Sequence, residues 1–118
     1  MAARRASAES GAGRCPVEIT LDVIAGRWKP AILWELRAGR RRFTELLASL
    51  PGVTHQVLTR QLRQLERDGI VTRTVRSGAV RHVEYTLSDF GRTLRPSLNA
   101  LARWAKMHRR PAARARAT

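Results

Sequence analysis

The stretch "VTHQVLTRQLRQLERDGIV", residues 53–71, decides how the rest of the chain is read. Projected on a helical wheel from Thr54 to Asp68, Leu58, Leu62 and Leu65 fall on one stripe at the i, i+4, i+7 spacing, which commits that side to a core. Gln56, Thr59, Arg60, Arg63 and Arg67 gather on the opposite side, with only Glu66 and Asp68 as nearby acids. A helix face that is merely solvated mixes both signs and gains from acid–base pairs one turn apart. This face lacks that mixing, so it calls for an anionic partner. Thr54 is a residue suited to cap the helix, and Gly69 closes it before "IVTRTV" (70–75) alternates apolar with polar as a strand does.

Further along, "RHVEYTL" (81–87) alternates again, and the glycine-containing "RSGAV" (76–80) lies between the two runs. Residues 70–87 therefore read as a β-hairpin with a basic tip at Arg76 and Arg81. Toward the N-terminus, Cys15-Pro16 signals a first helix, with Val17, Leu21 and Ile24 on one face and Gly26 at its end. Pro30 opens a second helix through Ile32, Leu33 and Leu36 to Gly39. A third, with Thr44 as its N-cap, points Leu46, Leu47 and Leu50 inward and stops at "PG", residues 51–52. After the hairpin a last helix runs from near Ser88 toward Arg110 with Phe90, Leu94, Leu98, Leu101 and Ala105. Pro96 removes a backbone donor there and kinks or divides it.

This order is that of an α+β, mostly helical winged helix-turn-helix. The helix at 44–50, the "PGV" turn at 51–53 and the helix at 54–68 form the motif, and the two-stranded hairpin is the wing. A recognition helix roughly 22 Å long fits into the major groove of DNA with its leucines buried and its polar face turned to bases and phosphates. Residues 1–14 and 109–118, made mostly of Ala, Arg, Gly and Ser, read as flexible basic tails around a domain at 15–108.

A chain of 118 residues makes one domain with a modest core, and association with a second copy is a natural way to bury more apolar surface. The net charge of +14 is not confined to the tails: they carry +2 and +4, which leaves +8 on residues 15–108. Such an excess points to a polyanion, nucleic acid ahead of an anionic membrane surface. A GC-rich coding bias accounts for Arg over Lys but not for so few acids. The sequence has no apolar run long enough to cross a bilayer and no hydrophobic centre of a secretory signal in its first fourteen residues, which predicts a cytoplasmic protein with no membrane partner. A single cysteine, Cys15, excludes an intrachain disulfide and a multi-cysteine zinc site within one chain.

Three fragments together, "CPVEITLDVIAGRWKPAILWEL", "RRFTELLASLPGVTHQVLTRQLRQLERDGIVTRTV" and "VEYTLSDFGRTLRPSLNALARW", resemble the HxlR-type winged helix-turn-helix transcriptional regulators of bacteria and archaea. The resemblance covers about residues 15–106. It implies a homodimer built from N- and C-terminal dimerisation helices, two recognition helices presented to a palindromic operator, and control of nearby genes, more often by repression. The wing departs from the family's pattern: a proline pair is common before "VEY", where this chain has Val80, Arg81 and His82, giving a loop of the same length that is less rigid and more basic. Cys15-Pro16 matches the family's "CP" pair, whose cysteine some members use to sense electrophiles or oxidants.

Residues at the N-terminal end of a recognition helix reach base edges first, which selects His55, Gln56, Thr59 and Arg60, with Thr54 at the cap, as the candidate readers. Gln suits adenine and Arg suits guanine. For His55 the competing reading is packing at the edge of the leucine stripe. Arg63 suits either a base or a phosphate, and Arg67, at the helix end, is the least suited to touch DNA. Arg40, Arg41 and Arg42, ahead of Thr44, are candidates for the DNA backbone, as are Arg76 and Arg81 on the wing. Cys15 at a helix N-cap beside Arg14 is a candidate redox sensor; a cap residue with no redox role is the preferred of the two readings. Trp28, Trp34 and Trp104 are most simply core and dimer packing, with a small-molecule effector pocket as the alternative. His82 and His108 have no ligand partner at helical spacing, so no metal and no cofactor is expected. The sequence has no glycine-rich phosphate loop and no motif pairing a nucleophile with a base, which leaves an enzyme without a residue set. The function that follows is a dimeric, sequence-specific regulator of transcription on double-stranded DNA. The alternative is a nonspecific basic nucleic-acid-binding or architectural protein.

Overall fold

A computed structural model describes residues 13–108. The expectations for most of the N-terminal tail, for the whole C-terminal tail and for the last helix beyond residue 108 fall outside those residues. Helix α1, Pro16–Ile24, starts where Pro is pre-set for the first turn, and Glu18 sits in that turn, where negative charge suits the helix dipole. Of its expected face only Ile24 is buried; Val17 and Leu21 remain 63% and 45% exposed. Helix α2, Lys29–Leu36, buries Ile32, Leu33 and Leu36. It ends short of Gly39, whose N–H bonds the Leu36 carbonyl in a closing turn.

A two-residue strand, β1 (Arg41–Arg42), comes next, and helix α3 (Phe43–Ser49) follows it directly. The strand was not legible in sequence, and it shifts the helix start. Arg42, extended at φ −74° and ψ 154°, is the N-cap in place of Thr44, which lies inside the first turn. The reason is a long-range pairing: bonding into the sheet holds Arg41 and Arg42 extended, and the Glu45 carboxylate then accepts the Arg42 N–H at 2.8 Å.

Helix α4, His55–Arg67, buries Leu58, Leu62 and Leu65 completely. Its end is built on Gly69 at φ +77°, where the N–H groups of Gly69 and Ile70 bond the carbonyls of Glu66 and Leu65. That pair of bonds needs a left-handed residue, which glycine supplies without steric cost. Strands β2 (Val71–Arg76) and β3 (His82–Leu87) form the hairpin, in register from Val71 opposite Leu87 to Arg76 opposite His82. With β1 the sheet has three antiparallel strands in the order β1-β3-β2.

Pro96 divides the last helical region into α5 (Asp89–Arg92) and α6 (Arg95–Met107), and it lies in the first turn of α6, where its missing N–H costs nothing. Ser88 ties α5 to the link between α4 and β2: its hydroxyl donates to the Gly69 carbonyl at 2.6 Å and accepts the Gly91 N–H at 2.9 Å. Gly91 is buried there, and a Cβ on it would collide with the Ile70 carbonyl. The core joins Ile32, Leu33 and Leu36 of α2, Leu46 of α3, the α4 leucines and Leu87 of β3, all at most 2% exposed. Each contributes about 1.5–3 kcal/mol by burial, so the rotation of α4 about its axis is fixed by its inner face.

Candidate nucleic-acid interface

The Thr54 hydroxyl accepts the Val57 N–H at 3.1 Å and sets the first turn of α4. With the leucine stripe locked inside, Gln56, Arg60, Arg63 and Arg67 are all exposed. Thr59 is half-buried and donates its hydroxyl to the His55 carbonyl at 2.8 Å, leaving the oxygen's acceptor capacity outward. The His55 ring packs on Phe43 with centroids 4.7 Å apart, and the residue stays exposed. His55, Gln56, Thr59, Arg60 and Arg63 line one continuous surface with Gln64 and Arg67.

The arginines divide by partner. Arg41 is held by Glu35 at 3.0 Å, and Arg76 and Arg40 by Glu84 at 3.1 and 3.5 Å. His82 completes the second cluster with Nε2 at 2.8 Å from Glu84. That hydrogen bond from His82, with the Arg76 and Arg40 guanidiniums behind it, holds the Glu84 carboxyl down to about 2 against the opposing effect of burial. Among the described residues, Arg42, Arg60, Arg63, Arg67, Arg73 and Arg81 have no carboxylate within ion-pair distance. Of the expected backbone contacts, then, Arg42 and Arg81 keep unsatisfied guanidiniums, whereas Arg40, Arg41 and Arg76 are already engaged within the protein.

A groove of about 590 Å³ separates α4 from the sheet. Arg42 and Thr44 come to it from the start of α3, His55, Thr59 and Arg63 from α4, and Arg81 from the wing. The fold thus gathers most of the expected site on two adjoining surfaces that share His55, Thr59 and Arg63. Arg40 and Arg76 face a different hollow with Glu84 and Thr74. Arg73, which also lines the groove, was missed in sequence; the signal was a basic residue between Val71 and Val75 on one side of a strand.

Cys15 is exposed at the N-cap of α1 and lines neither of these surfaces. Its neighbour Arg14, grouped with the tail in sequence, is turned onto Asp22 at 2.6 Å with only 7% of its side chain exposed, so its charge is committed away from the thiol. Trp28 and Trp34 pack against the core, with Arg27 and Arg37 over their rings, while Trp104 is 63% exposed with its ring tilted against His108. Among the described residues, no cluster of His, Cys, Asp and Glu is suited to a metal ion, and no helix is long and apolar enough to cross a membrane.

A buried-backed helix with an unneutralised basic face, entered through a tight turn from a preceding helix and followed by a hairpin, defines the winged helix-turn-helix class of DNA-binding proteins. The chain belongs to the HxlR-like helix-turn-helix family, whose model matches residues 23–113. It is 44% identical over 95 residues to the HTH-type transcriptional regulator YdeP of Bacillus subtilis, covering 80% of this chain and 74% of YdeP. Among solved structures it is similar to the redox regulator HypR in its reduced form (TM-score 0.76, 44% identity, 80% of this chain and 94% of that one). The match to the oxidised form is comparable (TM-score 0.75, 45% identity, 81% and 99%). The protein is a helix-turn-helix transcriptional regulator.

Proposed function

We propose that this regulator acts as a homodimeric, sequence-specific repressor that reads a palindromic operator through paired copies of α4. The observation that carries the reading is the outer face of α4, where Gln56, Arg60 and Arg63 stand exposed without acid partners among the described residues while Leu58, Leu62 and Leu65 behind them are fully buried. His55, Gln56, Thr59 and Arg60, with Thr54 at the cap, read base edges. Arg42 and Arg81 bind phosphates, with Thr44 at the same wall of the groove. Dimerisation is supported by apolar side chains left outside the protomer's core on both terminal helices: Val17 and Leu21 on α1, and Leu101, Trp104 and Met107 on α6, the last three 59–76% exposed. A second copy covering them supplies the burial that a single small domain lacks.

Footprinting on a duplex selected from a random pool tests this directly: two-fold symmetric protection that survives excess unrelated DNA is expected. Protection lost to unrelated DNA, or protection of no particular sequence, points to a nonspecific nucleic-acid-binding protein instead. Sedimentation of Trp104→Glu checks the dimer; this variant sediments as a monomer where the parent chain does not.

Thiol control through Cys15 is the second element of the proposal, supported by the exposed position of the sulfur and by the chain's similarity to a regulator solved in reduced and oxidised forms. One cysteine per protomer means that any disulfide joins two chains or a small thiol. Operator binding before and after diamide, compared with Cys15→Ser, reads it out. Unchanged binding of the parent chain after oxidation rejects the sensor and leaves Cys15 a cap residue.

A further inference from the structure

The groove between α4 and the sheet contains one cation that the helix-turn-helix and hairpin patterns leave without a task. Side chains two apart on a strand share a face, so Arg73 stands on the same side of β2 as Val71 and directly across from Tyr85 of β3. Val71 and Tyr85 are 3% and 7% exposed, whereas Arg73 itself and Val75 beyond it are exposed, so this side of the strand passes from the core to the open groove. A carboxylate at the mouth of the groove would neutralise the Arg73 guanidinium. Arg73 has none within ion-pair distance among the described residues, and neither do Arg42, Arg63 and Arg81, which line the same groove. Four guanidiniums around one hollow repel one another, and a bound anion turns that repulsion into attraction. Glu66 is the one acid on the lining, too little to balance four cations.

We infer that this groove is a seat for one backbone phosphate of the duplex, and that Arg73 is a DNA-binding residue acting there with Arg42, Arg63 and Arg81. The inference rests on the DNA-reading role proposed for α4. It favours a phosphodiester over free phosphate because the groove shares His55, Thr59 and Arg63 with the reading face. A duplex lying along that face runs past the mouth of the groove. Arg73 supplies affinity without sequence preference, and Glu66 at the rim weakens the seat by like-charge repulsion with the phosphate.

The experiment is a salt titration of binding to operator and unrelated duplexes for the parent chain, Arg73→Gln, Arg73→Lys and Glu66→Gln, with thermal melting of each as a folding control. Arg73→Gln is expected to weaken both duplexes alike by about three- to tenfold at moderate salt and to lower the salt slope by about 0.9 per protomer bound. Arg73→Lys restores most of the slope, and Glu66→Gln tightens binding to both duplexes. Replacing single linkages by neutral methylphosphonates then locates one position per half-site whose loss affects the parent chain more than Arg73→Gln. Unchanged affinity and slope in Arg73→Gln, while the parent chain binds DNA, overturn the seat and leave the α4 reading intact; failure of the parent chain to bind any duplex sinks that reading itself. If no linkage is sensitive, and inorganic phosphate at constant ionic strength raises the melting temperature of the parent chain but not of Arg73→Gln, the groove takes a free anion and the duplex assignment is wrong.

Discussion

The outer face of α4 and the outer corner of the sheet are both rich in arginine, and they are used differently. On α4, Arg60, Arg63 and Arg67 stand together with no acid to answer them among the described residues. At the sheet, Arg40 and Arg76 converge with His82 on Glu84, and Arg41 is tied to Glu35. A count of basic residues treats these sets as equal. Their partners separate them: the first carries charge that only an external anion can neutralise, and the second spends its charge inside the protein, on Glu84 of β3 and Glu35 of α2.

The comparison is tested most severely through the buried side of α4, because its basic face exists only while the leucines fix its rotation. Leu62→Ala should lower stability by about 2–5 kcal/mol in denaturant unfolding. A loss below about 1 kcal/mol would mean that the helix is not anchored as described. Next in size, Arg60→Ala should cost about 1–3 kcal/mol on the specific operator, measured by anisotropy. The paired and unpaired arginines should then diverge: Arg42→Ala weakens binding to all duplexes alike, while Arg41→Ala changes DNA binding little and stability by about 0–1 kcal/mol, as partly exposed ion pairs do. Equal effects of the two on DNA binding would erase the distinction.

The smallest effect concerns acid. His82, Arg76 and Arg40 hold the folded-state Glu84 carboxyl at about 2, below its ordinary 4.5. The stabilisation from this cluster is therefore complete above pH 4.5 and lost as pH falls toward 2. Thermal melts across that window should show Glu84→Gln losing less stability on acidification than the parent chain. Parallel pH profiles would show that the cluster does not act through the Glu84 charge.

Much of this was legible because local chemistry and tertiary packing agree. Leu58, Leu62 and Leu65 keep helical spacing and are all buried, Thr54 caps as its side chain allows, and Pro96 divides the last helical region where its missing donor does least harm. What escaped the sequence depends on contacts far along the chain. Strand β1 consists of two arginines without intrinsic strand preference, extended because Arg41 and Arg42 pair with Tyr85 and Glu84 more than forty residues later. The same pairing moved the cap of α3 from Thr44 to Arg42. Arg76 looked like a free wing cation until the hairpin register brought it within reach of Glu84. Val17 and Leu21 showed an apolar face but not what covers it, since a single chain's periodicity does not distinguish an internal core from an interface.

The central claim is that α4 reads sequence through Arg60 and its neighbours while the groove and wing cations only hold the backbone. Selection of preferred duplexes from a random pool, run in parallel with the parent chain and Arg60→Ala, tests it most directly. The account predicts a palindromic consensus for the parent chain and, for Arg60→Ala, the same consensus with one position in each half-site blurred. An identical consensus from both proteins, or no consensus from the parent chain, would contradict it.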